Sequence, residues 1–221
     1  MSINKAFSNF PSIFKRNETQ PEPTPEPEKK EETIFGMDIH LLPVNDNGCP
    51  IFLPIVIDEI IKNANVQGLF RICGSHRVVQ EIGHAALDPV KFVPPPDCHI
   101  HEYTSFLKQW LRSLPEPILT TEVVNTYYRK DDPKSVSETL MLLDPLNRRC
   151  IALIFKALKA ILSKSSVNMM TFQNLDICFN LSFLQTDSPY QYKDDFDFEF
   201  FYSTLIKKLN KDGTDFIFDI I

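Results

Sequence analysis

From Thr33 onward the apolar positions recur with the period of an amphipathic helix. The clearest case is residues 101–114, where Tyr103, Phe106, Leu107, Trp110, Leu111 and Leu114 build one wide apolar face that ends at Pro115 and Pro117. Residues 54–63 place Ile55, Val56, Ile60 and Ile61 on one side, and Ser75 is positioned to cap a helix running to about residue 87. A loop holding Pro89, Pro94, Pro95 and Pro96 follows. Shorter helices are predicted over 122–128 and 133–143. A long one over 147–162 has Ile151, Ile154, Phe155, Leu158, Ile161 and Leu162 as its buried stripe. Thr171 caps a helix to about 184, and residues 199–209 form the last. No segment alternates with the two-residue period of a strand, and no internal repeat is found. The pattern predicts an all-α fold of about seven to nine helices in one domain over residues 34–221.

Residues 1–33 stand apart from this domain as an N-terminal tail. Residues 18–32 contain no hydrophobic side chain, so ordering them would bury nothing, and they are expected to form a disordered Pro/Glu-rich spacer. Its prolines at 21, 23, 25 and 27 give P-x-P but never the P-x-x-P of an SH3 ligand. Upstream, Ile3, Phe7, Phe10 and Phe14, together with Lys5, Lys15 and Arg16, match a short amphipathic helix that would touch a membrane or a partner groove. Pro11 interrupts it, and an untethered terminus is the plainer reading of the segment.

Composition narrows the function classes. Only 6 of 221 residues are glycine, and neither G-x-x-x-x-G-K-S/T nor G-x-G-x-x-G occurs, so a nucleotide site of the chain's own is not expected. With 23 Lys and Arg against 29 Asp and Glu the net charge is −6, which argues against nucleic acid as a partner. The longest apolar run, residues 49–57, is too short to span a bilayer. There is no apolar stretch of signal-peptide length at the N-terminus, and Ser2 stands where N-myristoylation needs glycine. Five cysteines without a C-x-x-C read as reduced thiols, and the expected location is the cytoplasm, with peripheral membrane contact left open.

The candidate chemistry lies in Gly68-Leu69-Phe70-Arg71-Ile72-Cys73-Gly74-Ser75, between the first two helices. Two of the six glycines bracket it, Leu69, Phe70, Ile72 and Cys73 are expected to anchor it in the core, and Arg71 is the one charge in an apolar run. An arginine capping a helix or pairing with a core carboxylate would look the same. Lys108 and Arg112, four apart, are predicted side by side on the exposed face of the 101–114 helix, where plain solvated surface is the ordinary reading.

These residues resemble a family. Gly68 to Ser75 is similar to the G-I/L-F/Y-R-x-S/C-G-S/N signature of Rho GTPase-activating (RhoGAP) domains. Residues 107–117, Leu-Lys-Gln-Trp-Leu-Arg-Ser-Leu-Pro-Glu-Pro, resemble that family's L-K-x-F/W/Y-L-R-x-L-P-E/D-P segment. Asn168, Met170 and Thr171, followed by Asn174 and Leu175, match its N-x-M-S/T-x-x-N-L segment. The three motifs come in family order, and the likeness extends over residues 34–209.

The resemblance implies an activator that is not itself an enzyme. It would supply Arg71 in trans to the active site of a GTP-bound Rho-family GTPase, which carries the GTP and Mg²⁺, so no cofactor or metal of its own is expected. By the same resemblance Lys108 and Arg112 orient the loop or contact the GTPase switch regions, Gly68 and Gly74 shape the loop, and Asn174 and Ser182 lie at the GTPase interface. For Asn174 a buried helix-to-loop hydrogen bond is an equal explanation. The family's Gly-Pro-Asn is replaced by Asn180-Leu181-Ser182, and Asp176 stands where a small residue is usual. That departure leaves an alternative, a RhoGAP-like module that binds GTPases or scaffolds signalling partners with little catalysis. Cys98-His99-Ile100-His101-Glu102 invites a zinc reading, but no second ligand pair accompanies it, and no metal site is predicted. Asp194, Asp195, Asp197 and Glu199 read as the acidic first turn of the last helix.

Overall fold

Side-chain caps start several of the helices. Two Asp-Pro pairs are the simplest case. Asp132 accepts from the Lys134 N–H (3.0 Å) to open α5 (Pro133–Leu142), and Asp144 accepts from the Leu146 N–H (2.8 Å) to open α6 (Pro145–Leu162). In each, the proline occupies the first turn, where its missing N–H costs nothing. The expected start of α6 at 147 is two residues late for this reason. Thr120 caps α4 (Thr121–Tyr127) in the same way.

The computed structural model describes residues 32–185 and 196–211. Contacts divide the chain into Met1–Glu31 and Glu32–Ile221, and every described residue belongs to the second unit. The spacer, the amphipathic segment 1–17, Asp194 and Asp195 fall outside the described residues, Glu32 of the spacer excepted.

Among the described residues there is no β-strand, only a single antiparallel bridge between Val44 and Pro50. The remaining helices are α1 (Phe52–Lys62), α2 (His76–Ala85), α3 (Ile100–Ser113), α7 (Ser165–Asn168), α8 (Phe172–Leu175), α9 (Leu181–Phe183) and α10 (Phe198–Lys211), with a 3-10 turn at Ile39–Leu41. The all-α expectation holds. No described helix is long and apolar enough to cross a membrane.

α3 is the central strut, packing on α1, α2 and α9, while α6 packs on α1 and α10. All six residues of its apolar face are buried. Trp110 and Phe106 meet Phe52 of α1 edge-on, at ring separations of 5.1 and 5.3 Å. On α1 the buried face is Phe52, Leu53, Val56, Ile57 and Ile60, and Ile55 points outward, contrary to its expected place on the apolar side.

One element departs from its expected form. The helix predicted over 171–184 is α8, then a π turn at Asp176–Asn180, then α9. The wide turn is closed by the Asn180 Nδ2 donating to Asp176 Oδ1 (2.9 Å), so two of the residues that break the family pattern hold it together. α7 and the 3-10 turn are too short to leave a periodic signal in the sequence.

Candidate functional site

Residues 68–75 leave α1 and lead into α2, and the core grips them at several points. Gly68 has φ +72°, a conformation that favours glycine, and its N–H donates to the Asn168 carbonyl (3.1 Å). Leu69 and Phe70 are fully buried. Phe70 itself has φ +64°, an uncommon state for a bulky side chain that costs about 1–3 kcal/mol unless its surroundings fix it. Here they do. Its ring lies 5.0 Å from Phe179 of the π turn, which stacks on Phe183 (5.7 Å), which in turn meets Phe155 of α6 (5.6 Å). Its carbonyl accepts a hydrogen bond from Lys108 Nζ (2.6 Å).

The far end of the loop is fastened to α3. The Gly74 N–H donates to Ser105 Oγ (2.9 Å), and a Cβ on Gly74 would stand 2.7 Å from both Cα and N of Glu102, so backbone meets backbone there. Ser75 holds the N-cap position of α2, but its hydroxyl makes no capping bond. Instead its N–H donates to Glu102 Oε1 (3.0 Å), while the His99 N–H donates to Glu102 Oε2 (3.1 Å). Burial opposes charge on Glu102, yet the backbone N–H donors outweigh it and hold the carboxyl below its usual range. The Cys98–Glu102 cluster thus forms the start of α3, with Glu102 turned to backbone N–H groups. Burial pushes the Cys98 thiol up to about 11, and no group of His, Cys, Asp and Glu among the described residues could hold a metal ion.

Between these anchors Arg71 is exposed and forms no ion pair with any described residue, so the capping and core-carboxylate readings fall away. The anchoring pattern needs correcting on two points. Ile72 is 46% exposed and Cys73 is exposed, because the turn that buries Leu69 and Phe70 directs the next three side chains outward. Lys108 is half-buried against the loop and not on open surface, while Arg112, one turn on, is exposed. A cleft of about 470 Å³ lies between the end of the loop and α3, lined among others by Ser105, Lys108, Arg112 and Ser182. Ser182 is only 6% exposed, so it forms part of the cleft wall and does not project from it. Asn174 is not among the lining residues. Its Oδ1 accepts from the Thr171 N–H (3.1 Å) and hydroxyl (2.8 Å), an exposed capping box at the start of α8 and not a buried helix-to-loop bond.

A family model for the RhoGAP domain matches residues 50–188, a span that holds the loop, α3 and Ser182. The chain belongs to the RhoGAP family. It is similar to the Rho GTPase-activating protein conundrum of Drosophila melanogaster, 28% identical over 74% of this chain and 30% of that protein. It is also similar to human Rho GTPase-activating protein SYDE1, 30% identical over 69% of this chain and 23% of that protein. This RhoGAP chain thus spans less than a third of the length of these relatives. The fold is also that of human Rho GTPase activating protein 15, with a TM-score of 0.60 and 22% identity over 86% of this chain and 89% of that one.

Sequence reasoning missed the residues that aim the RhoGAP loop from outside it. Asn168 is fully buried; its Nδ2 donates to the carbonyls of Ala64 and Ile161 (both 2.7 Å), and its Oδ1 accepts from the Met170 N–H (2.8 Å). Its own carbonyl then takes the Gly68 N–H. In the sequence Glu102 belongs to the cluster that invites a zinc reading, Phe179 falls in the segment after Asn174 with no role attached, and Ser105 carries no signal.

Proposed function

We propose that this RhoGAP domain accelerates GTP hydrolysis by Rho-family small GTPases in their GTP-bound state, inserting Arg71 in trans next to the transferred phosphoryl group. One observation carries the reading: an exposed arginine, unpaired among the described residues, on a loop whose backbone is fastened on both sides of it, at Gly68 and Phe70 before and at Gly74 and Ser75 after. Fixed attachment points limit the entropy lost on insertion, and a guanidinium with no ion pair to any described residue keeps its donors for the developing phosphoryl charge. The relatives' names as Rho GTPase-activating proteins support the same reaction. GTP and Mg²⁺ come with the GTPase, so the domain contributes only the arginine and the surface that positions it. Lys108 acts as a positioning residue through the Phe70 carbonyl, and Arg112 faces the GTPase across the cleft.

The test is single-turnover GTP hydrolysis over a panel of Rho-family GTPases, comparing wild type with Arg71→Ala. Loss of stimulation with binding retained is the expected result; equal rates on every GTPase overturn the finger role. The burial of Ser182 favours a second reading, a module that binds a GTPase with little catalysis, since so enclosed a hydroxyl offers a partner little surface. That reading predicts saturable binding to the GTP-bound form and no stimulation by wild type.

A further inference from the structure

A second cleft, of about 320 Å³, lies where the π turn meets the start of α10, and it shares no described lining residue with the cleft beside Arg71. Asp176 and Asn180 of the π turn and Glu199 of α10 are part of its wall. Asn180 is only 7% exposed, and its amide is half satisfied. The Nδ2 donates to Asp176 Oδ1 (2.9 Å), which fixes the amide with its oxygen left over. That Oδ1 is buried and accepts no hydrogen bond. A buried carbonyl oxygen in this state calls for a donor. The one cation among the described lining residues is already engaged. Lys130 Nζ stands 3.6 Å from Asp197 Oδ2, while Asp197 Oδ1 accepts from the Phe200 N–H (2.8 Å) to cap α10. Glu199 is exposed and forms no ion pair with a described residue. The cleft therefore holds an excess of acceptors beside the aromatic side chains of Phe172 and Phe198. A small residue and a glycine stand at positions 176 and 180 in the family pattern, so the Asp176–Asn180 pair is a departure of this chain from it.

We propose that this cleft receives an arginine side chain of a protein partner. A guanidinium carries five N–H donors in a planar fork and no acceptor, so one end group serves Asn180 Oδ1 and the Asp176 and Glu199 carboxylates in different directions. Its flat faces pack on the aromatic wall, where the more strongly hydrated ammonium of lysine gains less. An anionic ligand would meet Asp176 and Glu199 as like charges. A metal ion fits no better, because no group of His, Cys, Asp and Glu among the described residues could hold one. The volume lies at the low end of ligand cavities, which suits a single extended side chain. Because the two clefts are lined by different residues, this site stands whether or not the domain activates a GTPase.

The experiment titrates the isotope-labelled full chain with an end-blocked tripeptide of arginine between two alanines and follows the backbone amide signals by NMR. Counterparts with lysine or with neutral citrulline in the middle, and the free guanidine agmatine, are titrated in parallel. Saturable shifts are expected at the π turn and the start of α10. The arginine peptide should bind about fivefold or more tightly than the lysine peptide and about tenfold or more tightly than the citrulline one, and added salt should weaken it. Glu199→Gln, at an exposed position, should weaken arginine binding severalfold with an unchanged urea midpoint, and Asp176→Ala combined with Asn180→Gly should abolish it. Equal affinity for lysine overturns the guanidinium class, and equal affinity for citrulline overturns the role of the carboxylates. Tighter binding of agmatine than of the arginine peptide overturns the protein source. The site itself is overturned by the absence of saturable shifts up to about 10 mM peptide, or by binding that neither variant changes.

Discussion

At the scale of single residues, Arg71 and Lys108 carry equal charge in different forms. Arg71 presents a planar fork of donors, whereas Lys108 is a point donor spent on one carbonyl. Arg71→Lys is therefore expected to lose most of the roughly 10³–10⁵-fold acceleration typical of an arginine finger, although the charge is kept. Single-turnover hydrolysis at saturating activator measures this, and near-wild-type rates would count against the geometry. Lys108→Met retains the aliphatic stem but leaves the left-handed Phe70 without its clamp. Its expected effect is weaker stimulation with a stability loss of about 1–2 kcal/mol in urea unfolding. A mutant with full stimulation would show that the Phe70 ring alone fixes the loop.

At the scale of elements, the loop is aimed by neighbours that lie far away in the sequence. Asn168 joins the end of α6, the turn after α1 and the start of Gly68 through one side chain and one carbonyl. Asn168→Ala leaves the Ala64 carbonyl and the Met170 N–H unpaired in a buried site, while the Ile161 carbonyl keeps the Lys164 N–H, at an expected cost of about 2–3 kcal/mol, read as a lower urea midpoint at unchanged slope. The joint between loop and α3 depends on charge on Glu102. Its folded pKa lies below the ordinary 4.5, so its contribution is complete above that value and is lost as pH falls through the lower folded one. The melting temperature is expected to drop as pH goes below about 4.5, and Glu102→Gln should flatten that part of the profile. An unchanged acid limb in the variant would mean that other carboxylates dominate.

At the scale of the whole molecule, the described helices share one continuous core, and the single Trp110 stands inside it, edge-on to Phe52. Tryptophan fluorescence and helical circular dichroism are expected to report the same unfolding midpoint. Separate midpoints would mean that the α1–α3 and α6–α10 halves melt independently. How much of this order is legible in the chain follows from the range of the forces involved. The α3 face and the Asp-Pro helix starts are local, set by residues within one or two turns, and periodicity alone predicted the long helices to within a few positions. Arg71 also stood out locally, as a lone charge between two glycines. The π turn did not, because the Asp176–Asn180 bond looks in sequence like any i,i+4 pair on a helix.

The amino-acid sequence by itself determined an all-α domain, its long helices, and the family to which the three ordered motifs pointed. Tertiary structure alone decided which way each loop residue faces. Ile72 and Cys73 are as apolar as Leu69 and Phe70, yet they turn outward because Gly68 and Phe70 both adopt positive φ. That backbone is held by Asn168, Lys108 and Phe179, the nearest of them 38 residues from the group it fastens in the case of Lys108. Periodicity records contacts between neighbours along the chain. The direction in which Arg71 points is set by hydrogen bonds and ring contacts that exist only once the helices have packed.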